Sequence, residues 1–145
     1  MLIAVIADTH DRLPPRILTA IRGADEIWHL GDVCDPSIEA SLQTTGVPLR
    51  LVRGNCDSHE AWPLTLDFTL EGFRIRLIHI PPTAAPPGVD LLFHGHTHVP
   101  RNQIVGHAHF YNPGCITRPN RGAPASYAWL ELTAGEPLRW TLESV

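Results

Sequence analysis

Hydrophobic positions fall in short runs along this chain, and their spacing changes from the first half to the second. Residues 2–7, LIAVIA, form an unbroken apolar run rich in β-branched side chains, the pattern of a strand buried on both faces. Residues 26–30, EIWHL, and 48–54, PLRLVRG, read the same way. Between them lie two stretches of helical spacing. In the first, Pro14 and Pro15 suit a helix start, Ile17, Leu18 and Ile21 recur on one face, and Gly23 suits the stop. In the second, residues 36–44, Pro36 opens the first turn. Strand–helix–strand–helix–strand implies a parallel sheet with helices packed on it.

Alternation takes over after residue 63. Residues 64–80 predict a hairpin turning at Glu71–Gly72. Residues 89–94 predict another strand, 101–114 a pair of strands around Val105–Gly106, and 126–144 a closing hairpin around TAGE. This half is expected to be mostly antiparallel. No repeat, linker or composition shift divides the chain, so one domain over 1–145 is expected. A sandwich of two sheets with helices outside accounts for all of it.

The bulk numbers narrow the function. With 145 residues and 43% apolar content the chain can bury a real core. The formal net charge is −4 and every basic residue is arginine, so no basic footprint for long nucleic acid exists. No run is long enough to span a membrane, and MLIAVIAD has neither the length nor the cationic start of a signal peptide. A cytoplasmic location is the expectation. Three cysteines, widely spaced and without a CxxC, exclude a disulfide framework and a thiolate zinc site. The nine histidines are the anomaly, most of all in FHGHTHVP, residues 93–100.

Those histidines make sense beside what ends the other strands. Asp8 and His10 follow the first strand, Asp32 the second and Asn55 the third. His79 ends the hairpin, and His96 and His98 follow the strand at 89–94. Ligands of open α/β sheets collect beyond the carboxyl ends of the strands. Mixed carboxylate and imidazole donors suit Mn²⁺, Fe²⁺, Co²⁺, Ni²⁺ or Zn²⁺. Two such ions, bridged by a carboxylate, lower the pKa of a bridging water and give a hydroxide nucleophile. Together they outweigh Asp8, Asp32 and that hydroxide in charge, so the site stays positive and suits a phosphate ester.

The ordered set DTH, GD, GNCD, H and GHTH resembles the calcineurin-like metallophosphoesterase superfamily. It is most similar to the small YfcE-like phosphodiesterase branch, whose tail NPG…SYA is matched by residues 112–132. The resemblance covers nearly the whole chain. It implies a four-layer αββα sandwich, two mixed β-sheets flanked by helices, with a dinuclear metal centre. Position by position it implies that Asp8, His10 and His98 hold one ion, that Asn55, His79 and His96 hold the other, and that Asp32 bridges. Mn²⁺ leads as the metal, with Ni, Co, Fe and Zn as alternatives. Asn55 is also expected to touch the phosphoryl oxygen.

The implied reaction is hydrolysis of a small phosphodiester. Monoester or nucleotide pyrophosphate hydrolysis on the same centre is the alternative, and a non-catalytic scaffold, as in a vesicle-sorting relative, is the third reading. An apolar hairpin edge adds a homo-oligomer to the expectations.

Four departures from the family pattern bear on chemistry. Ile80 and Pro81 follow His79 where glycine is usual. The segment PPTAAPPG, 81–88, replaces a helix that its prolines forbid. Cys115 replaces serine, and Asp11, often glycine elsewhere, borders the site as a candidate substrate contact. Larger members carry GNHE, whose histidine protonates the leaving group. Here Cys56 takes that place, and a thiol is a poor acid for an alkoxide, so good leaving groups are expected. His59 is a second acid candidate.

Outside the donor set, His29 reads as a core residue, His94 as a rim residue and His107 and His109 as a surface pair. Asp57 reads as a loop-orienting acceptor of backbone hydrogen bonds.

Overall fold

The computed structural model describes residues 1–145. The first sheet has the order β10-β9-β1-β2-β3 and the second β4-β5-β6-β8-β7. In chain order the elements are β1 (Leu2–Ile6), α1 (Pro15–Ala20), β2 (Glu26–His29), α2 (Ser37–Gln43), β3 (Leu49–Leu51), β4 (Thr65–Leu70), β5 (Phe73–Ile78), β6 (Leu91–Phe93), β7 (Arg101–Val105), β8 (Ala108–Asn112), β9 (Ser126–Glu131) and β10 (Arg139–Ser144). Both sheets are mixed. β1, β2 and β3 run parallel and β9 joins β1 antiparallel.

The second sheet is mixed as well, and its centre is parallel, a detail the alternation did not predict. β5, β6 and β8 are parallel neighbours, flanked by antiparallel β4 and β7. Chain order misleads here. After β5 the chain crosses back through the 81–88 loop, and after β6 it skips to the far edge as β7 before returning as β8.

Strand alternation sorts the apolar residues onto two faces. Ile3, Val5 and Ala7 of β1 and its exit, with Trp28 and Leu30, pack between the sheets against Ile75, Leu77, Leu91, Phe93 and Tyr111. The odd and even positions diverge because successive Cβ atoms point to opposite faces. Ala4, Ile6 and Ile27 therefore face outward, where they meet Ile17 and Ile21 of the first helical segment and Ile38 and Leu42 of α2. Ile38 and Leu42 stand one turn apart, so α2 buries one stripe. Each such side chain contributes roughly 1.5–3 kcal/mol.

The outer face of the second sheet carries no helix. Its small cluster of Val89, Leu92, Ala108 and Phe110 is covered by Ala85 of the proline-rich loop. That loop is pinned by the His107 ring, whose Nε2 lies 2.9 Å from the Pro86 carbonyl. Loop 81–88 thus stands in the fourth layer where the family pattern has a helix. Pairing in parallel brings the C-terminal ends of β1, β2 and β3 to one edge of their sheet, and those of β5 and β6 to one edge of the other.

Candidate metal centre

Every residue singled out at a strand end lies in one cluster between those two edges. Asp8 is fully buried, and Asp32 and His79 are nearly so. Around them the Nε2 atoms of three histidines converge. His10 Nε2 is 3.7 Å from Asp8 Oδ1 and 3.7 Å from Asp32 Oδ2. His98 Nε2 is 3.4 Å from Asp8 Oδ1 and 3.1 Å from His10 Nε2. His79 Nε2 is 3.3 Å from Asp32 Oδ2. Asn55 Oδ1 sits 2.9 Å from His79 Nε2 and 3.0 Å from His96 Nδ1.

Two of these rings are set by backbone carbonyls. His79 donates its Nδ1–H to the Leu30 carbonyl at 2.7 Å, and His98 donates to that of Arg118 at 2.6 Å. A carbonyl only accepts, so the Nδ1 tautomer is fixed and Nε2 presents a lone pair. Asp32 is set by its other oxygen. Oδ1 accepts from the Cys56 N–H at 2.9 Å, which leaves Oδ2 alone facing both His10 and His79.

Three facts show that this cluster fits a cation. Asp8 Oδ1 is buried and has no hydrogen-bond partner. A buried, unpaired carboxylate oxygen costs several kcal/mol. His10 and His98 bring ring nitrogens within 3.1 Å. Donors bound at about 2.0–2.2 Å to one ion stand about 3–3.5 Å apart, which is the spacing seen. Asp8, His10 and His98 form one compact ligand group, and Asp8, Asp32 and His79 another.

The charges respond to the same crowding. Burial pushes the Asp8 carboxyl up to about 6 against the pull of His79 and His98. Asp32 is buried too, but the His79 hydrogen bond and the Cys56 N–H outweigh that and hold it well below the usual carboxylate range. For His79, burial works against the charged ring and the Asp32 and Asp8 carboxylates overcome it, so its pKa lies above the ordinary value.

The backbone bends sharply to present these groups. Asp8, His10, Asp32, His96 and His98 all have positive φ, between 44° and 72°. For non-glycine residues this is the uncommon left-handed region, and it clusters where surroundings over-determine it. The motif glycines answer to space. A Cβ on Gly95 would lie 2.9 Å from Asp8 Oδ2, and one on Gly54 would strike the Asp32 carboxylate and backbone N–H.

Several supports were less visible in the sequence. Asp57 accepts the N–H groups of Asp32, Gly54 and Cys34, as expected of a loop-orienting carboxylate. Buried Asn112 donates to the Gly95 carbonyl and to Thr97 Oγ1, and so ties down the GHTH loop. It opens the NPG segment, whose polar residue at a strand end was the available signal. Cys115 Sγ and Thr117 Oγ1 each lie 3.2 Å from the Asp8 carbonyl. His29 accepts from the Gly31 N–H, donates through Nε2 to Thr9 Oγ1 at 3.0 Å, and is pushed down to about 3 by burial. It props the DTH turn at Thr9 and the strand exit at Gly31.

The remaining candidates sit around this cluster. Cys56 is exposed, with its thiol pushed up by desolvation and by Asp32. His59 turns its ring edge-on to Trp62 and bonds to none of the donor set. Asp11 is exposed with a positive φ, its backbone N–H held by the Val33 carbonyl. His94 is buried beneath the GHTH loop, its Nδ1 2.9 Å from the Gly95 carbonyl. His109 bonds Asn102 on the β7–β8 pair, outside the site.

The calcineurin-like phosphoesterase superfamily domain matches residues 1–135, all seven candidate ligands included. The chain belongs to that superfamily. Phosphodiesterase YfcE from Escherichia coli (strain K12) is 32% identical over 155 residues, covering 86% of this chain and 84% of the relative. The probable metallophosphoesterase MJ0623 from Methanocaldococcus jannaschii is 32% identical over 136 residues, covering 82% of this chain and 70% of that one. The structure of the E. coli phosphoesterase Yfce superposes with a TM-score of 0.77 at 25% identity over the full length of both chains. Wild-type Vps29 from Entamoeba histolytica, complexed with Zn²⁺, superposes at 0.79 with 22% identity over 99% of this chain and 98% of its own, a likeness of fold. Among calcineurin-like phosphoesterases the chain thus falls in the YfcE-like branch, and it is a metal-dependent phosphoric ester hydrolase.

Proposed function

We propose that this chain hydrolyses a small phosphodiester at two divalent ions, one held by Asp8, His10 and His98, the other by Asn55, His79 and His96, with Asp32 between them. The observation that carries this is Asp32 Oδ2, which lies 3.7 Å from His10 Nε2 and 3.3 Å from His79 Nε2, one histidine of each set, while Asp32 Oδ1 is held by the Cys56 N–H. Divalent ions there, Mn²⁺ first among them, supply Lewis acidity toward a phosphoryl oxygen and ionise water near neutral pH. The protein's residues do the rest. Asp32 and His79 stay fixed by Cys56 N–H and Leu30 carbonyl, so the donors do not reorganise during reaction. Asn55, exposed at the rim, is placed to contact the phosphoryl group through its amide.

In the balanced reaction water adds to phosphorus, one P–O ester bond breaks, and the departing oxygen takes a proton. The thiol that follows Asn55 remains protonated at neutral pH but is a weak donor. That favours diesters with good leaving groups over monoesters with poor ones.

Turnover of bis-p-nitrophenyl phosphate and p-nitrophenyl phosphate with Mn²⁺ tests the reading. Diester cleavage should dominate and vanish in Asp32→Ala. Dominant monoester cleavage would favour the phosphomonoesterase alternative. The likeness to Vps29 supports a scaffold as the second reading. Metal binding without hydrolysis of either ester would move the case there.

A further inference from the structure

Beside the candidate centre opens a cleft of about 530 Å³, within the size range of small-molecule sites. His96, Thr97, Arg101, Gln103, Asn120 and Arg121 are among the residues that line it. No acidic residue lines it, in a chain whose net charge is −4. Four of the 11 arginines, Arg50, Arg74, Arg76 and Arg139, pair with a carboxylate; Arg101 and Arg121 are among those that do not.

Arg101 is held as a guanidinium platform. Its Nε donates to Gln103 Oε1 at 2.9 Å, its Nη1 lies 3.3 Å from His94 Nε2, and its carbon lies 4.9 Å from the centre of the Phe110 ring. Nη2 keeps its hydrogens for another acceptor. Bracing of this kind lowers the entropy lost when an anion is bound.

Arg121 is registered to the reaction centre through the loop before it. The Asn120 N–H donates to the His98 carbonyl at 3.1 Å, and the Arg121 N–H donates to Asn120 Oδ1 at 2.9 Å. The loop that carries Arg121 is therefore fastened to a candidate metal ligand. His96 belongs both to the donor set and to the cleft. The cleft and the donor set therefore share a wall at His96.

Resting on the phosphodiesterase reading of the same site, we propose that the cleft receives one half of the substrate and that this half carries a second anionic group, a phosphate or a carboxylate, held by Arg101 and Arg121. A planar fork of donors with no resident carboxylate suits either oxyanion. A neutral alkyl group would leave both guanidiniums without a partner.

The test uses three p-nitrophenyl diesters that share a leaving group and differ in the other ester: propyl, 3-carboxypropyl and 3-phosphopropyl. With the metal-loaded protein, at least one charged ester should exceed the propyl ester in kcat/KM on the order of 10- to 100-fold, mainly through KM. Which one does so tells carboxylate from phosphate. The ratio should fall toward one in Arg101→Gln and Arg121→Gln.

Hydrolysis of all three within about threefold of one another would overturn the cleft and leave the phosphodiesterase standing. Hydrolysis of none would overturn the phosphodiesterase reading, and a second readout then decides the cleft. Inorganic phosphate added to the metal-free protein should shift the Nε–Hε NMR signals of Arg101 and Arg121. Unmoved signals would overturn the anion site.

Discussion

The two halves of the donor set are built differently. Asp8, His10 and His98 centre on a buried carboxylate whose Oδ1 has no hydrogen bond, so this half is unsatisfied without a cation. Asn55, His79 and His96 centre on a neutral amide oxygen that two imidazoles already reach at 2.9 and 3.0 Å, and two of the three residues are exposed. The first half is held from behind by Cys115 and Thr117 on the Asp8 carbonyl and by Arg118 on His98. In the second, His79 has a buried backbone partner and the other two lie at the rim. A charged, buried, rigid half is expected to bind a cation first and tightly, and a neutral, open half second and more weakly.

Removing what joins the halves should have the largest effect. Asp32→Ala is expected to lower kcat/KM for bis-p-nitrophenyl phosphate by on the order of 10³-fold or more, because both donor sets lose their shared oxygen. Retained turnover would mean that one half suffices. Next, calorimetric titration with Mn²⁺ should resolve a tight and a weak step. His98→Ala should weaken the tight step by about 10- to 100-fold, and His96→Ala should weaken only the second. Equal weakening of both steps by either variant would erase the distinction.

A smaller effect tests the backing of the buried half. His29 is held neutral, its pKa depressed to about 3 by complete burial, whereas the unfolded chain protonates it near 6.5. A depressed folded pKa gives stability that is present above the unfolded value and is lost as pH falls through the window from 6.5 to 3. At pH 5 the loss amounts to about 2 kcal/mol. His29→Gln should flatten this acid limb in urea titrations of the metal-free protein, and an unchanged limb would show that another group titrates there.

The smallest effect concerns the leaving group. Cys56→Ala is expected to slow alkyl diesters about tenfold and aryl diesters less than threefold, since only the poor leaving group needs the thiol proton. Equal slowing of both would remove Cys56 from proton transfer.

How much of this was legible depended on what each residue answers to. Asp8, Asp32, His96 and His98 could be found because metal-ligand types stood at strand ends, and parallel strands put those ends together. Pro36 at a first turn located α2, and Ile38 and Leu42 then bury one stripe of it. The parallel centre of the second sheet went unread because alternation reports which face is buried, not which neighbour a strand takes. Leu91–Phe93 pairs with β5 on one side and β8 on the other, both in parallel, and nothing local in three apolar residues states that. The left-handed turns at Asp8, His10 and Asp32 were equally silent, for their cause lies in contacts made across the fold. Support from the Leu30 and Arg118 carbonyls was invisible because a backbone atom has no letter of its own.

The pairing of β9 with β1 bears on how the molecule comes into being. Leu2 faces Glu131 and Val5 faces Ala128, so the strand that ends in Asp8 is flanked on one side by residues made more than a hundred positions later. During synthesis β1, β2 and β3 can associate early, yet β1 keeps a bare edge until β9 leaves the ribosome. GHTH follows the same schedule, since Asn112 and the Arg118 carbonyl that hold it are translated after it. Metal affinity should therefore arrive late and all at once in a growing chain. A nascent chain stalled before residue 126 would bind the ion poorly, and chaperones would meet it with its central strand open.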